Sequence, residues 1–136
     1  MDIDISKINV RFGNGNELED KYFSGLLGKA YRREVACHNA TIPMVNIIPF
    51  SDYTPERNDK YRDRFNKKYR ANRPPALYVY EKSGHFVMSD DYNAYFMYKE
   101  VKATLAICVV VGPHTITEGV EYGPAFHLKL PTFKVV

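Results

Sequence analysis

The chain has 136 residues, of which 45% are hydrophobic and 26% are charged, and its net charge is +3. A length below about 150 residues predicts a single domain whose core is large enough to fold without disulfides or a structural metal. The ordinary contents of charge, glycine and proline exclude collagen-like and disordered chains. The longest apolar run, Leu105 to Val111, is far too short for a membrane helix, so we expect a cytoplasmic protein without a membrane partner.

The first third of the chain is predicted to contain two strands and one helix. Residues 3–12 carry apolar side chains at alternate positions, as a half-buried strand does. The spacing of leucines and tyrosines then predicts a helix from Glu17 to about Cys37. We interpret residues 38–43 as a connector and Met44 to Ile48 as a short strand.

The second predicted helix, from about Glu56 to Ala71, is amphipathic. Tyr61, Phe65 and Tyr69 recur every four residues and form an apolar stripe. Five cations lie along one side of this stripe: Arg57, Lys60, Arg64, Lys67 and Lys68. They are the best candidates for nucleic-acid binding, and the alternative is an ordinary solvated helix surface.

The positive charge of the chain is concentrated around this helix. Between Ser51 and Arg73 there are eight basic and four acidic residues, whereas the rest of the chain has 11 basic and 12 acidic residues. The excess charge is therefore a local feature that marks one surface, and not a general basic character.

The second half of the chain is predicted to contain a hairpin, a helix and further strands. Residues 76–80 and 85–88 form a hairpin across a Lys-Ser-Gly turn, and a helix follows from Tyr92 to Val101. The apolar run from Thr104 to Val111 is typical of a strand that is buried on both faces. Residues 113–136 indicate a β-hairpin or a pair of edge strands. The elements together predict an α+β fold with a single small mixed sheet and about three helices.

Three segments between residues 45 and 112 carry a resemblance to a known family. Val45-Asn-Ile-Ile-Pro49 is followed by Tyr53-Thr-Pro-Glu-Arg57, a helix then ends just before Arg73-Pro-Pro75, and a hairpin leads to Asp90. In their order and apolar pattern these segments resemble the N-terminal domain of the ParB/sulfiredoxin fold family. The resemblance implies a ParB-like core at 45–112, an N-terminal strand-helix extension at 1–44 and a C-terminal hairpin at 113–136.

The loop that carries the chemistry of that family differs in this chain. In the family it reads approximately Asp-Gly-x-x-Arg, with the glycine and arginine serving a bound phosphate, whereas here it reads Asp90-Asp91-Tyr92-Asn93-Ala94. Two adjacent carboxylates repel a triphosphate. The resemblance therefore implies a catalytically reduced binding protein, associated with nucleic acid or with a plasmid or phage, and no cofactor is expected.

Two alternatives remain open at the level of the sequence. One is a nucleotide-dependent enzyme or nuclease that uses Asp90, Asp91 and Arg57 as an altered site. Asp90, Asp91 and Asn93 suit Mg²⁺ as oxygen ligands, although a pair of helix N-terminal residues is the simpler interpretation. The other alternative is a protein–protein module, such as an immunity or anti-defence protein, with tyrosines at its interface. The four histidines have no zinc-site spacing, so no metal site is predicted.

Overall fold

The computed structural model describes residues 17–88 and 91–128, and within these ranges six strands form one mixed sheet that is flanked by three helices. The predicted α+β class is confirmed. The helices are α1 (Glu17–Tyr31), α2 (Asp59–Arg70) and α3 (Tyr92–Glu100). The strands are β1 (Cys37–Pro43), β2 (Ile47–Pro49), β3 (Leu77–Lys82), β4 (His85–Met88), β5 (Leu105–Val111) and β6 (Glu121–Phe126). A short 3₁₀ helix, Met44–Asn46, separates β1 from β2.

The strands follow the order β2-β4-β3-β5-β1-β6 across the sheet. β2 pairs in parallel with β4, and β3 pairs in parallel with β5, while the other three pairings are antiparallel. β1, which the resemblance assigns to the N-terminal extension, lies between β5 and β6. The segment before residue 45 therefore contributes a strand to the interior of the same sheet.

The interpretation of residues 38–43 as a connector is wrong, because these residues belong to β1. Asn39 and Thr41 alternate with the buried Ala40 and Ile42, but this alternation spans only four residues and ends at Pro43, so it is a weak strand signal. The strand forms because β5 and β6 pair with it on both sides, so its tertiary environment outweighs its local propensity. The predicted strand at Met44 to Ile48 is also shifted, since its first half is the 3₁₀ helix.

The two faces of the sheet carry separate apolar clusters. Beneath α2 and α3, Phe65 and Tyr98 pack with Val79 and Val110. On the other face, α1 packs over a second cluster: Phe23, Leu26 and Ala30 of α1 with Cys37, Tyr80, Val109 and Val111 of the sheet. Alternate residues of β3 and β5 thus enter different clusters, as the pleat of a strand requires.

The expectation that residues 104–111 are buried on both faces is wrong for the first half of β5. Residues 108–111 are buried, but Leu105 and Ile107 are 48% and 39% exposed. These two side chains share the sheet face of Val109 and Val111, which α1 covers only at its far end. The apolar run is longer than the part of β5 that α1 covers. Its composition alone therefore could not show where the buried part of the strand begins.

The β3–β4 hairpin is confirmed, with Lys82 paired to His85. Ser83 and Gly84 have φ values of 52° and 79°, which are typical of a two-residue type I′ turn. α1 ends at Tyr31, earlier than predicted, because Arg33 takes a φ of 62° and the Glu34 amide bonds to the carbonyl of Lys29. The predicted strand at residues 3–12 and the end of the predicted C-terminal hairpin lie outside the described residues. Within the part of the chain that the structure describes, β6 is an edge strand paired with β1.

Candidate nucleic-acid interface

The apolar stripe of α2 fixes how this helix lies on the sheet, and its prediction is confirmed. Phe65 is 1% exposed, and its ring contacts Tyr69 and Tyr98 with centroids 5.7 Å and 5.2 Å away. Tyr61 is partly buried against the same cluster. With the stripe directed at the core, the side chains on the other flanks of α2 face solvent.

The ends of α2 are set by two local signals. Asn58 caps its start, since the Asn58 side-chain oxygen accepts a 3.0 Å hydrogen bond from the Tyr61 amide. At the other end Asn72 takes a φ of 59°, and the Arg73 amide bonds to the carbonyl of Lys68 at 2.8 Å. The helix therefore begins later than the predicted Glu56, and the two prolines at 74 and 75 follow its cap.

Four of the five predicted cations form one exposed surface on α2. Lys60, Arg64, Lys67 and Lys68 are all exposed, and we call them the α2 basic surface. Across residues 17–88 and 91–128, no carboxylate lies within ion-pair distance of any of the four. The Arg64 guanidinium lies over the Tyr61 ring, 6.0 Å from its centre, where it is attracted to the aromatic face. From Lys60 to Lys68 the surface extends over about 12 Å of helix axis.

Arg57 differs from the other four cations because it precedes the helix. Its Nε donates a 2.8 Å hydrogen bond to an oxygen of Asp59, and both side chains are largely exposed. This hydrogen bond, together with the charge of Arg57, lowers the pKa of Asp59. Part of the charge of Arg57 is thus compensated locally, and Arg57 does not extend the α2 basic surface.

Arg57 instead borders a cleft between α2 and α3. Arg62 bridges this cleft and forms an ion pair with Glu100, which lowers the pKa of the glutamate. Asn93 also lines the cleft, whose volume is about 80 Å³. Small-molecule sites usually enclose roughly 300–1,000 Å³, so this cleft is too small to enclose a nucleotide.

Sequence reasoning placed Asp91 at the start of a helix, and the structure shows which bond it makes there. Asp91 is the N-cap residue of α3, but its side chain does not cap that helix. One carboxylate oxygen accepts a 2.8 Å hydrogen bond from the amide of Tyr78, at the beginning of β3. After burial, the charge of Asp91 is the next cause that raises the pKa of both Tyr61 and Tyr78. Asp90 lies outside the described residues.

Of the predicted enzymatic residues that the structure describes, Arg57 lines the cleft between α2 and α3, and Asp91 is not among the residues that line it. Asp91 is bonded to β3, whereas Arg57 and Asn93 line the cleft on the α2 side of α3. Among the residues that the structure describes, no three His, Cys, Asp or Glu side chains come close enough to hold a metal ion. Burial raises the pKa of the Cys108 thiol, which makes it a poor nucleophile.

The site prediction missed two exposed cations that continue the basic region. Arg70 lies in the last turn of α2, and Arg73 follows the helix before the two prolines. Both are among the eight basic residues between Ser51 and Arg73. This local charge count was therefore the sequence signal that could have identified them.

Comparison with models of known protein families gives no match for this chain, and a search of curated proteins gives none either. None of the helices at residues 17–88 and 91–128 combines the length and apolar character needed to cross a membrane. The physical features of α2 and of the start of α3 are therefore the basis for a functional proposal.

Proposed function

We propose that this protein is a ParB/sulfiredoxin-like binding domain with a reduced active loop, which binds nucleic acid through the α2 basic surface. One observation carries the proposal: Lys60, Arg64, Lys67 and Lys68 are exposed together without an acidic partner in the described ranges. Unpaired cations in such an array attract phosphates and release their condensed counterions. The surface extends over about 12 Å, enough to meet several successive phosphates of one strand.

The ParB-like part of the proposal has two supports. α2, the β3–β4 hairpin, α3 and β5 follow one another in the order that the resemblance implies. In addition, one carboxylate oxygen of Asp91 accepts a hydrogen bond from the Tyr78 amide. This residue of the altered loop therefore has a structural role. Both observations favour a domain that binds through its surface over one that processes a nucleotide.

The proposal is tested by fluorescence anisotropy with labelled single- and double-stranded DNA and RNA over a range of salt concentrations. Four phosphate contacts to duplex DNA predict a slope of about −3 to −4 in a plot of log K against log salt. The variant with Lys60, Arg64, Lys67 and Lys68 all changed to Gln should bind at least about tenfold more weakly at low salt, with a shallower slope.

The matched control changes Lys21, Lys29, Lys99 and Lys102 to Gln, four exposed cations outside α2. Both variants lower the net charge by the same amount, so a nonspecific charge effect would weaken both equally. We expect the control to bind like the unmodified protein. Equal losses in the two variants, or no binding to any of the four nucleic acids at low salt, would reject the proposal.

The same protein samples distinguish the enzymatic alternative. Labelled CTP and ATP are added with Mg²⁺, and both nucleotide binding and phosphate release are measured. The proposal predicts no signal in either assay, because Asp91 bonds to the Tyr78 amide and the cleft that Arg57 lines is too small to enclose a nucleotide. Binding that is lost on Asp91→Asn would instead support the altered-site enzyme.

A further inference from the structure

Two histidines from distant parts of the chain contact each other at the edge of the sheet. His38 lies on β1 and His114 on the segment after β5, and their ring centroids are 4.6 Å apart at an angle of 74°. The Nδ1 atom of each ring is buried and has no hydrogen-bond partner among the described residues. The other face of His114 stacks on Tyr122 of β6, with centroids 4.2 Å apart. The pair therefore joins three segments.

The segment that carries His114 is also joined to the sheet by pairing with β1, by hydrogen bonds to Glu81 and by packing of Ile116, Val120 and Tyr122 on the core. β6 is an edge strand that pairs only with β1 within residues 17–88 and 91–128, and the pairing shifts register between His38 and Ala40. Residues 113–120 connect it to β5 and are fastened by Glu81 of β3. The carboxylate of Glu81 accepts hydrogen bonds from the Thr115 amide and hydroxyl, both at 2.6 Å, and from the Ile116 amide at 2.9 Å.

Two other titratable side chains face the pair, one from β3 and one from β6. Glu81 lies near enough for the charge of a protonated His114 to lower its pKa. Burial opposes this shift, but the hydrogen bonds from Thr115 and Ile116 outweigh it. Tyr122 donates its hydroxyl to the Ile116 carbonyl, and burial raises its pKa, so it stays neutral. Glu81 thus places a negative charge near His114.

Protonation of His38 is unfavourable in this arrangement. A neutral imidazole can leave one ring nitrogen without a proton, whereas an imidazolium carries a proton on both. The proton on a buried Nδ1 would then lack an acceptor, which is costly in the interior. Burial and the nearby His114, whose ring centroid lies 4.6 Å away, both disfavour a charge on His38.

We propose that His38 and His114 form a proton-sensitive latch, which holds residues 113–126 against β1 at neutral pH and releases them on acidification while the rest of the sheet stays folded. This inference is independent of the nucleic-acid proposal, because none of its residues belongs to the α2 basic surface.

The sign and range of the pH dependence follow from His38. Burial and the neighbouring His114 lower the pKa of His38 from its usual 6.5. When the segment opens, His38 regains that usual value and binds a proton more readily than in the closed form. The closed form is therefore fully stable above about pH 6.5 and loses stability as the pH falls toward the lowered pKa. Glu81 remains ionised throughout this range, because its own pKa is lowered.

The test is hydrogen–deuterium exchange measured by mass spectrometry between about pH 7.5 and about pH 5, corrected for the intrinsic pH dependence of exchange. In the unmodified protein the opening constant of residues 113–126 should rise by up to about tenfold per pH unit, as expected for one proton. Protection in peptides from β3 and β5 should stay constant. His38→Gln, which cannot titrate, should remove the pH dependence of residues 113–126.

Two further measurements keep the result decisive. His85→Gln removes an exposed imidazole that bonds to the Ser83 carbonyl, and it should behave like the unmodified protein. If His38→Gln does not fold, NMR titration of the histidine ring protons of the unmodified protein replaces it. Titration of His38 at or above 6.5 would overturn the proposal. So would exchange in residues 113–126 that does not depend on pH, or that rises together with exchange in β3 and β5.

Discussion

Asp91 separates a structural from a chemical interpretation of the altered loop. Its carboxylate accepts the 2.8 Å hydrogen bond from the Tyr78 amide and so connects the start of α3 to the start of β3. Asp91→Ala removes this acceptor, while Asp91→Asn keeps an oxygen in nearly the same place and removes the charge. If Asp91 is structural, the two variants must differ in stability, because Asp91→Ala leaves the Tyr78 amide without this acceptor and Asp91→Asn does not.

The expected magnitude follows from the bond and from its exposure. A hydrogen bond to a charged acceptor contributes about 1.5–3 kcal/mol, and partial exposure of Asp91 to water favours the lower end. We expect Asp91→Ala to lower the free energy of unfolding by about 1–2 kcal/mol. Asp91→Asn should lower it by less than about half of that, since a neutral acceptor remains.

Urea unfolding followed by far-UV circular dichroism measures both changes, with and without Mg²⁺. The control is Asp52→Ala, which removes an exposed carboxylate from the loop before α2 and should alter stability by less than about 0.5 kcal/mol. The structural interpretation would be refuted if Asp91→Ala and Asp91→Asn were equally destabilised, or if Mg²⁺ stabilised the unmodified protein and neither variant. Either result would mean that the protein depends on the negative charge of Asp91 and not on its hydrogen bond to Tyr78.

The remaining predictions concern α2. Phe65→Ala empties a fully buried position between α2 and the sheet, so we expect a loss of about 3–5 kcal/mol in the free energy of unfolding, against a smaller loss for Phe65→Leu. A loss below about 1 kcal/mol would mean that α2 does not depend on this contact. Lys60→Gln removes a cation from the first turn of α2 and should stabilise the fold by about 0.3–1 kcal/mol at low salt while weakening nucleic-acid binding. Urea unfolding measures the stability, and anisotropy measures the binding. A Lys60→Gln variant that is more stable and binds more tightly, or is less stable and binds more weakly, would contradict this prediction.

The parts of the fold that the sequence predicts are those with local causes. The stripe of Tyr61, Phe65 and Tyr69 repeats at the helical period, and its burial follows from that period. The turn at Ser83 and Gly84 needs positive φ, which Gly84 adopts without steric cost. The α2 basic surface is predictable for the same reason, since helical spacing alone assigns its four cations to one flank.

The parts that the sequence could not predict depend on contacts between distant segments. β1 became a strand because β5 and β6 pair with it, and its own residues resemble a loop. The partner of Asp91 is a backbone amide on another strand, which leaves no trace in the residue types. The meeting of His38 with His114 likewise requires the sheet order, because neither histidine has a motif around it.

Helix electrostatics distinguishes which cations of α2 need a function to explain them. Lys67, Lys68 and Arg70 lie in the last turn, where the partial negative charge of the helix C-terminus stabilises cations in any protein. Arg64 has a favourable contact with the ring of Tyr61. Lys60 has neither benefit, because it lies in the first turn, where the helix dipole opposes a positive charge. A surface shaped only by stability would not keep a cation there, so Lys60 is the residue at which the binding proposal and the solvated-surface alternative differ most.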